Sequence, residues 1–368
     1  MNPNSSPLRP TRATASGNGR SPDAPPPSSP PPYASHHPPR LRVNLVLFLA
    51  TVFTTIMAGA LQAKGPEAFT SLRNVLSGIP FSAALLAILL AHEMGHYLTS
   101  RYYGVPASLP YFIPVPTIIG TMGAVIRMSA IIRDRRVLFD IGIAGPLAGL
   151  AVALPATWIG LRYSEVIEIG STAGGIELGD SLLFMGLIKW VFGSLGETQT
   201  VLLHPVAFAG WLGFFVTSLN LLPMGQLDGG HVTYGIFGPR HRTVSRTVFV
   251  ALVLWAVHGA FTRIDPFAWL WAVGFCWAGV RVAFSTNRNS VMRYFALFLG
   301  IVGIVENLVP NTTVWVVWAV LMCFLRLGHP PTRDISVPLD SRRMALGWIA
   351  LILFILTFTP EPFHEILH

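Results

Sequence analysis

Nine long apolar runs constrain what this chain of 368 residues can fold into. They lie at about 44–62, 80–100, 138–160, 202–222, 246–262, 267–284, 291–308, 313–327 and 343–359. A helix needs about 20 apolar residues to cross a bilayer. Charged residues make up only 11% of the chain, whereas soluble domains carry roughly 25%. The runs therefore predict an all-α polytopic membrane protein surrounded by the lipid bilayer.

The positions of Lys and Arg predict which loops share a side of the membrane. With the N-terminus in the cytoplasm, 20 of the 25 Lys and Arg residues fall in cytoplasmic segments of an alternating topology. The positive-inside rule predicts such an imbalance, and nine spans then place the C-terminus outside. The net charge of +8 belongs to these loops, so we expect no nucleic acid partner. The expected location is the cell membrane.

Residues 1–40 differ from the rest of the chain in composition. They contain twelve prolines, many serines and almost no aliphatic side chains, so they cannot bury enough surface to offset the entropy of ordering. We expect a disordered cytoplasmic tail, followed by a multi-pass membrane domain over 41–368. A transit peptide is the alternative, although the prolines disfavour the amphipathic helix that such a peptide needs.

The segment 105–131 is apolar but rich in proline and glycine. This composition excludes a straight helix and favours an extended backbone. Irregular backbone within a membrane must lie against protein or a water-filled cavity, because its polar groups need partners. We therefore expect a membrane-embedded extended loop between the second and third apolar runs.

The second apolar run contains the sequence His92-Glu93-Met94-Gly95-His96. On a helix, His92 and His96 are one turn apart and face the same way, so both imidazoles can bind one metal ion. Glu93 follows the first histidine and can take a proton from the attacking water, as in the HExxH metallopeptidases. The alternative is a polar patch that pairs helices. Ionisable groups inside a span are costly unless they are used, which favours a functional site.

A carboxylate that can complete this site follows the fourth apolar run, in Asn220-Leu-Leu-Pro223-Met-Gly225-Gln-Leu-Asp228. Pro223 and Gly225 are expected to break the helix near the cytoplasmic face of the membrane. Asp228 would then lie on an unwound segment that can turn toward the two histidines. Two imidazoles, one carboxylate and a water molecule make a typical catalytic zinc shell. We predict one Zn²⁺ per chain.

The pairing of these two motifs resembles the site-2 protease family, the M50 metallopeptidases, over about 80–231. The resemblance implies a site-2 protease-like helical core whose zinc ligands are His92, His96 and Asp228. It also implies that Glu93 is the catalytic residue, and that Asn220 matches a family asparagine that steadies the substrate or the oxyanion. Members of this family cut membrane protein substrates within or near a transmembrane helix.

Other segments also resemble the family. Residues 120–124 and 144–149 look like family elements, and the two glycines in 144–149 predict close helix packing. The segment from His329 to the last apolar run resembles members without a PDZ domain. The region 246–310 departs from the family pattern.

The pair of runs at 246–262 and 267–284 allows two topologies. The turn between them, at Asp265-Pro266, is very short. The two runs are therefore either two short spans or a helical hairpin.

Two other functions are compatible with the same residues. A metal transporter would use the histidines and Asp228 as a transit site, but transport needs further ligands toward the far side of the membrane. The outer halves of the other apolar runs contain no such chain of ligands. A catalytically inactive family member would act as a binding scaffold, which the intact HExxH motif and Asp228 disfavour.

Several other polar residues have simpler interpretations. His258 is expected to be a hydrogen-bonded packing residue. Asp140 and Glu306 lie near predicted span ends, where a charged group reaches the interface easily. His231 follows the ligand loop and can orient it, although a structural role is favoured.

Overall fold

The computed structural model describes residues 41–128, 132–168, 176–262, 264–284, 290–305, 313–325, 327, 332–334 and 336–365. Its helices are α1 Leu41–Lys64, α2 Leu72–Leu76, α3 Ile79–Tyr102, α4 Arg135–Arg162, α5 Leu182–Phe192, α6 Pro205–Leu221, α7 Asp228–Phe237, α8 His241–Phe261, α9 Pro266–Phe284, α10 Ser290–Val305, α11 Thr313–Phe324 and α12 Ser341–Thr357. Its strands are β1 Tyr111–Pro114, β2 Thr121–Val125, β3 Glu165–Glu168, β4 Ile176–Leu178, β5 Gln199–Leu202 and β6 Phe363–Glu365. The predicted tail, residues 1–40, and Glu306 lie outside the described residues.

Within these ranges, a helix occupies each of the nine predicted apolar runs. Five helical stretches are long and apolar enough to cross a membrane: Leu41–Phe69, Leu72–Tyr102, Arg135–Arg162, Asp228–Phe261 and Pro266–Phe284. Helices α6, α10 and α11 are apolar but shorter. The predicted fold class, an all-α polytopic membrane protein, is confirmed.

Helix α4 is the centre of a first packed group, in which α3, α6 and α7 lie against it. Asp134 caps its N-terminus by accepting hydrogen bonds from the backbone N–H groups of Arg136 and Val137. Small residues let the neighbouring backbones approach closely. A Cβ atom at Gly160, for example, would lie 2.2 Å from the backbone nitrogen of Ala207 on α6. This close packing brings α3, α6 and α7 within reach of one another around α4.

A second packed group contains α8, α9, α10 and α11, which share one apolar core. Phe249, Trp271, Phe275 and Trp315 are all buried in it. Helices α8 and α9 pack against each other, and each belongs to a stretch long enough to cross a membrane. The sequence allowed either two short spans or a helical hairpin over these two runs, and the lengths of the two helical stretches favour two spans.

The proline-rich segment after α3 forms an antiparallel hairpin of β1 and β2. Three polar side chains of α1 donate hydrogen bonds to backbone carbonyls of this segment: Asn44, Thr54 and Gln62. Phe112 of β1 is buried and packs edge-on against Phe48 of α1. The predicted extended loop is thus present, and α1 supplies the partners that its backbone needs away from water.

At one end of the molecule, an ionic cluster joins α3, α4 and α12. A nitrogen of Arg343 lies 2.6 Å from a carboxylate oxygen of Asp140. The Tyr103 hydroxyl donates to the same carboxylate at 2.5 Å, and this hydrogen bond raises the pKa of Tyr103. The structural role expected for Asp140 is confirmed, because its charge has a partner on the last helix.

At the opposite end, short strands join distant parts of the chain. Strand β3 pairs with β5, and β4 pairs with β6 near the C-terminus. The indole N–H groups of Trp255 and Trp315 both donate to the carbonyl oxygen of Pro360. These contacts tie the C-terminal segment to the second helical group.

Candidate metal centre

Helix α3 presents His92, Glu93 and His96 to the interior of the protein. Each of the three is buried, with an exposed fraction of 7% or less. The two imidazole rings have centroids 4.9 Å apart and meet edge to face. The spacing of one helical turn points both imidazole rings in the same direction, as the sequence predicts.

The carbonyl oxygen of Ile141 fixes the orientation of the His96 ring. His96 Nδ1 lies 2.7 Å from this oxygen. A carbonyl can only accept a hydrogen bond, so Nδ1 carries the proton and the neutral ring keeps a lone pair on Nε2. The second nitrogen of a metal-binding histidine is commonly held in this way. The helix α4 backbone therefore prepares His96 to act as a ligand.

Asp228 reaches the histidines from a neighbouring element. Helix α6 ends at Leu221, and the backbone from 222 to 227 is not helical. Gly225 in this loop has a φ of 60°, a conformation that favours glycine. The prediction that Asp228 lies on the unwound segment is wrong. Asp228 is the first residue of α7. A carboxylate is favourable at a helix N-terminus because the N–H groups there are unpaired.

The ligand atoms of the three residues form a triangle with nearly equal sides. His92 Nε2, His96 Nε2 and Asp228 Oδ2 lie 3.2 Å from one another along every side. Atoms that carry lone pairs repel one another at this distance unless a cation or a proton lies among them. A tetrahedral zinc site with bonds of about 2.0–2.1 Å has ligand separations of about 3.3–3.4 Å. The set of two imidazoles and one carboxylate therefore fits zinc in both chemistry and spacing.

Two glycines of α4 make room for this triangle. A Cβ atom at Gly145 would lie 2.1 Å from His96 Nε2, and one at Gly149 would lie 3.3 Å from His92 Nδ1. The close helix packing predicted from this glycine spacing is confirmed. These two glycines of α4 lie directly against the candidate ligands His96 and His92, so they leave the space that the two imidazole rings occupy.

Glu93 is buried beside the triangle, and the backbone amide of Ile126 lies close to its carboxylate. Ile126 follows β2 directly, so the extended hairpin contacts the candidate base. A backbone donor has no signature in the sequence, and neither Ile126 nor the Ile141 carbonyl could be identified from it. Burial places the Glu93 carboxylate away from bulk water.

Asn220 lies on the last turn of α6, just before the loop that leads to Asp228. Its side-chain nitrogen is 3.3 Å from His92 Nε2. All five residues singled out by the sequence are therefore gathered around one point by three elements, α3, α6 and α7. The other candidates are elsewhere or secondary: His258 bonds to a carbonyl of its own helix, and His231 is buried on α7.

Within the described ranges, His92, His96 and Asp228 are the cluster of three His, Cys, Asp or Glu residues that could hold a metal ion. A family model, Peptidase family M50, matches residues 80–259 of the chain. Residues 80–259 thus carry a peptidase family M50 domain. The match includes both motifs and extends into α8, beyond the segment 80–231 that the sequence motifs delimit. The predicted family is confirmed.

The chain is similar to several plant proteins. One is "Probable zinc metalloprotease EGY1, chloroplastic" of Oryza sativa subsp. japonica, with 34% identity covering 53% of this chain and 38% of the relative. Another is "Probable zinc metalloprotease EGY2, chloroplastic" of Arabidopsis thaliana, with 27% identity covering 86% of this chain and 48% of the relative. The chain thus spans less than half of the length of these relatives. No solved structure matches it.

Proposed function

We propose that this protein is an intramembrane zinc metalloprotease that hydrolyses peptide bonds within or near transmembrane segments of membrane proteins. One observation carries the proposal: three ligand atoms converge at 3.2 Å among apolar helices, and two of them lie on the same helix as the buried Glu93. The M50 domain supports it. So do the relatives, whose names describe zinc metalloproteases.

In this proposal His92, His96 and Asp228 hold one zinc ion. When bound, zinc would polarise the scissile carbonyl and make the attacking water more acidic. The Ile141 carbonyl keeps His96 in the tautomer that binds metal. The carboxylate of Asp228 offsets the charge of the ion in surroundings of low dielectric constant.

Glu93 acts as the general base and then as the general acid. It takes the proton of the attacking water and returns it to the leaving amine. The Ile126 backbone amide lies close to this carboxylate and can keep it in position for both transfers. The Asn220 side-chain nitrogen lies 3.3 Å from His92 Nε2 and can donate to the carbonyl oxygen as negative charge develops there.

The β1–β2 hairpin is the element that we expect to bind the substrate. A helical substrate hides its carbonyls in internal hydrogen bonds, so the segment to be cut must first become extended. Strand β2 leads directly to Ile126 at the base, and among the described strands it pairs only with β1. Its other edge can accept an extended segment by strand addition.

We further propose that residues 41–368 form one multi-pass protease domain of the cell membrane, with the N-terminus in the cytoplasm and the C-terminus outside. Two of the segments that carry the basic residues, 101–137 and 326–343, meet at the α3–α4–α12 end of the molecule. Arg133, Arg333 and Arg343 belong to this end, since Arg333 N–H donates to the Ile132 carbonyl and Arg343 pairs with Asp140. This grouping is what the positive-inside rule requires.

Cleavage of a single-span reporter protein by the purified enzyme in vesicles tests this function. We expect cleavage by the wild-type protein and none by Glu93→Gln, whose amide cannot accept the proton. A transporter would instead move zinc across the vesicle membrane, and an inactive scaffold would do neither. Cleavage by Glu93→Gln at near the wild-type rate would overturn the proposal.

A further inference from the structure

The loop between α6 and α7 carries Asp228 to the histidines, so its position decides where the third ligand lies. Its shape is fixed from one side by α7. A Cβ atom at Gly229 would lie 2.0 Å from the Leu221 carbonyl oxygen, and one at Gly230 would lie 2.4 Å from the Gly225 carbonyl oxygen. Because loop and helix are in such close contact, any movement of the loop at Gly225 is transmitted to Asp228.

From the other side, the loop is held by a buried hydroxyl of α8. The backbone N–H of Gly225 donates to Ser245 Oγ at 3.0 Å. Ser245 is fully buried, with an exposed fraction of 0%. A buried backbone N–H without a partner is costly, so this hydrogen bond favours one position of Gly225.

His241 extends the contact by one helical turn. Its Nε2 lies 3.0 Å from Ser245 Oγ, and the ring is almost completely buried beside Tyr234 of α7. With the imidazole on one side and the Gly225 N–H on the other, the hydroxyl cannot rotate freely. The three groups form a short buried chain from α8 to the loop.

Apolar packing joins the same loop to the second helical group. Leu222 and Met224 belong to the buried core that also contains Phe249 of α8 and Phe275 of α9. Met224 has an exposed fraction of 0%. The loop that leads to the candidate third ligand is therefore packed as part of the α8–α11 group. Both histidines belong to the first packed group, around α4.

We propose that Ser245 and His241 are positioning residues, through which α8 sets the location of Asp228 in the ligand triangle. The proposal rests on the function proposed above, because it concerns the same metal site. It assigns a role to α8: this helix holds one ligand in position against the two supplied by α3. Neither side chain touches the reacting atoms.

Zinc affinity of the purified holoenzyme, measured by competition with a chelator, tests this inference. Replacing a residue that orients a metal ligand typically weakens metal binding by about 10- to 100-fold, and we expect a loss in this range for Ser245→Ala. The matched control is Ser218→Ala, which removes another fully buried helical hydroxyl. Ser218 donates to the Phe215 carbonyl of its own helix, so we expect zinc affinity within twofold of wild type.

Steady-state kinetics provide a second readout at saturating zinc. We expect Ser245→Ala to lower kcat and leave KM for the reporter nearly unchanged, because the hairpin that binds substrate is untouched. If Ser245→Ala does not fold, His241→Gln, which keeps the serine, is expected to weaken zinc binding in the same direction. The conservative variant Ser245→Thr retains a hydroxyl and is expected to recover most of the affinity.

Three results would contradict the inference, and they can be told apart. If wild type binds zinc and both Ser245→Ala and His241→Gln bind it equally well, α8 does not position Asp228. If wild type itself binds no zinc, the proposed function fails and this inference fails with it. Equal losses in Ser245→Ala and Ser218→Ala would also overturn it, since general destabilisation would then account for the effect.

Discussion

Gly145 offers the sharpest test of how closely α4 packs against the metal site. In Gly145→Ala the added methyl carbon would lie 2.1 Å from His96 Nε2, and 2.5 Å from two carbons of the ring. Ordinary contacts between such atoms begin near about 3.5 Å. The ring or the helix must therefore shift by more than about 1 Å. The Nε2 atom would then leave the triangle whose sides are 3.2 Å.

A displacement of about 1 Å at a catalytic group can lower a rate about 100-fold. We therefore expect kcat/KM for reporter cleavage to fall by about 100-fold or more in Gly145→Ala, with reduced zinc content. Gly149→Ala places its methyl 3.3 Å from the His92 ring, a contact that a small adjustment relieves. Its activity is expected to fall only a few-fold.

Gly186→Ala is the matched control, since Gly186 lies within α5 and has no atom within 4 Å of its added Cβ. Alanine is the better helix former by about 1 kcal/mol, so this variant should be as stable as wild type or slightly more so. The expected order of activity is Gly186→Ala, then Gly149→Ala, then Gly145→Ala. Wild-type zinc content and cleavage in Gly145→Ala would refute the close packing described here.

Three further predictions concern a ligand, a helix cap and the topology. Asp228→Asn keeps the shape of the side chain but removes its charge, so metal analysis should show weaker zinc retention and cleavage assays a large loss of activity; full zinc with normal cleavage would remove Asp228 from the ligand set. Asp134→Ala should lower the free energy of unfolding in detergent by about 0.5–2 kcal/mol because α4 loses its cap, whereas Asp134→Asn should lose less. Burial alone would raise the pKa of Asp134, but hydrogen bonds from Arg133 and backbone N–H groups lower it below 3.8. The contribution of Asp134 to the free energy of unfolding is therefore present at neutral pH and should disappear as the pH falls below that value. A pH-independent difference between Asp134→Ala and wild type would contradict this. A cysteine at Arg240 should be shielded from a membrane-impermeant thiol reagent in intact cells and a cysteine at Glu177 should react. The reverse labelling pattern would contradict the proposed topology.

The sequence predicts the parts of this structure that depend on short-range patterns. The apolar runs specify where helices lie, because in a membrane each run must satisfy its backbone polar groups with hydrogen bonds within the run. The spacing of His92 and His96 predicts their common direction, since four residues make about one turn. Pro223 and Gly225 predict the break that releases Asp228 from α6. Its place at the start of a new helix depends on the two glycines that follow and on packing against the loop.

Contacts made by backbone groups and by distant residues could not be predicted in the same way. Any residue can supply the carbonyl of Ile141 or the N–H of Ile126, so neither position is marked by its side chain. The ion pair of Arg343 with Asp140 and the hydrogen bond of Ser245 to Gly225 join elements whose pairing follows from the tertiary fold. These contacts nevertheless decide how the ligands are held.

Zinc analysis of three purified proteins tests the assignment of the metal ligands. We expect one zinc per chain in wild type and in Glu93→Gln, because the base is not a ligand. We expect little or none in His96→Ala, because one imidazole and one carboxylate hold zinc poorly. Loss of zinc from Glu93→Gln, or full zinc in His96→Ala, would contradict the assignment of His92, His96 and Asp228 as the metal ligands.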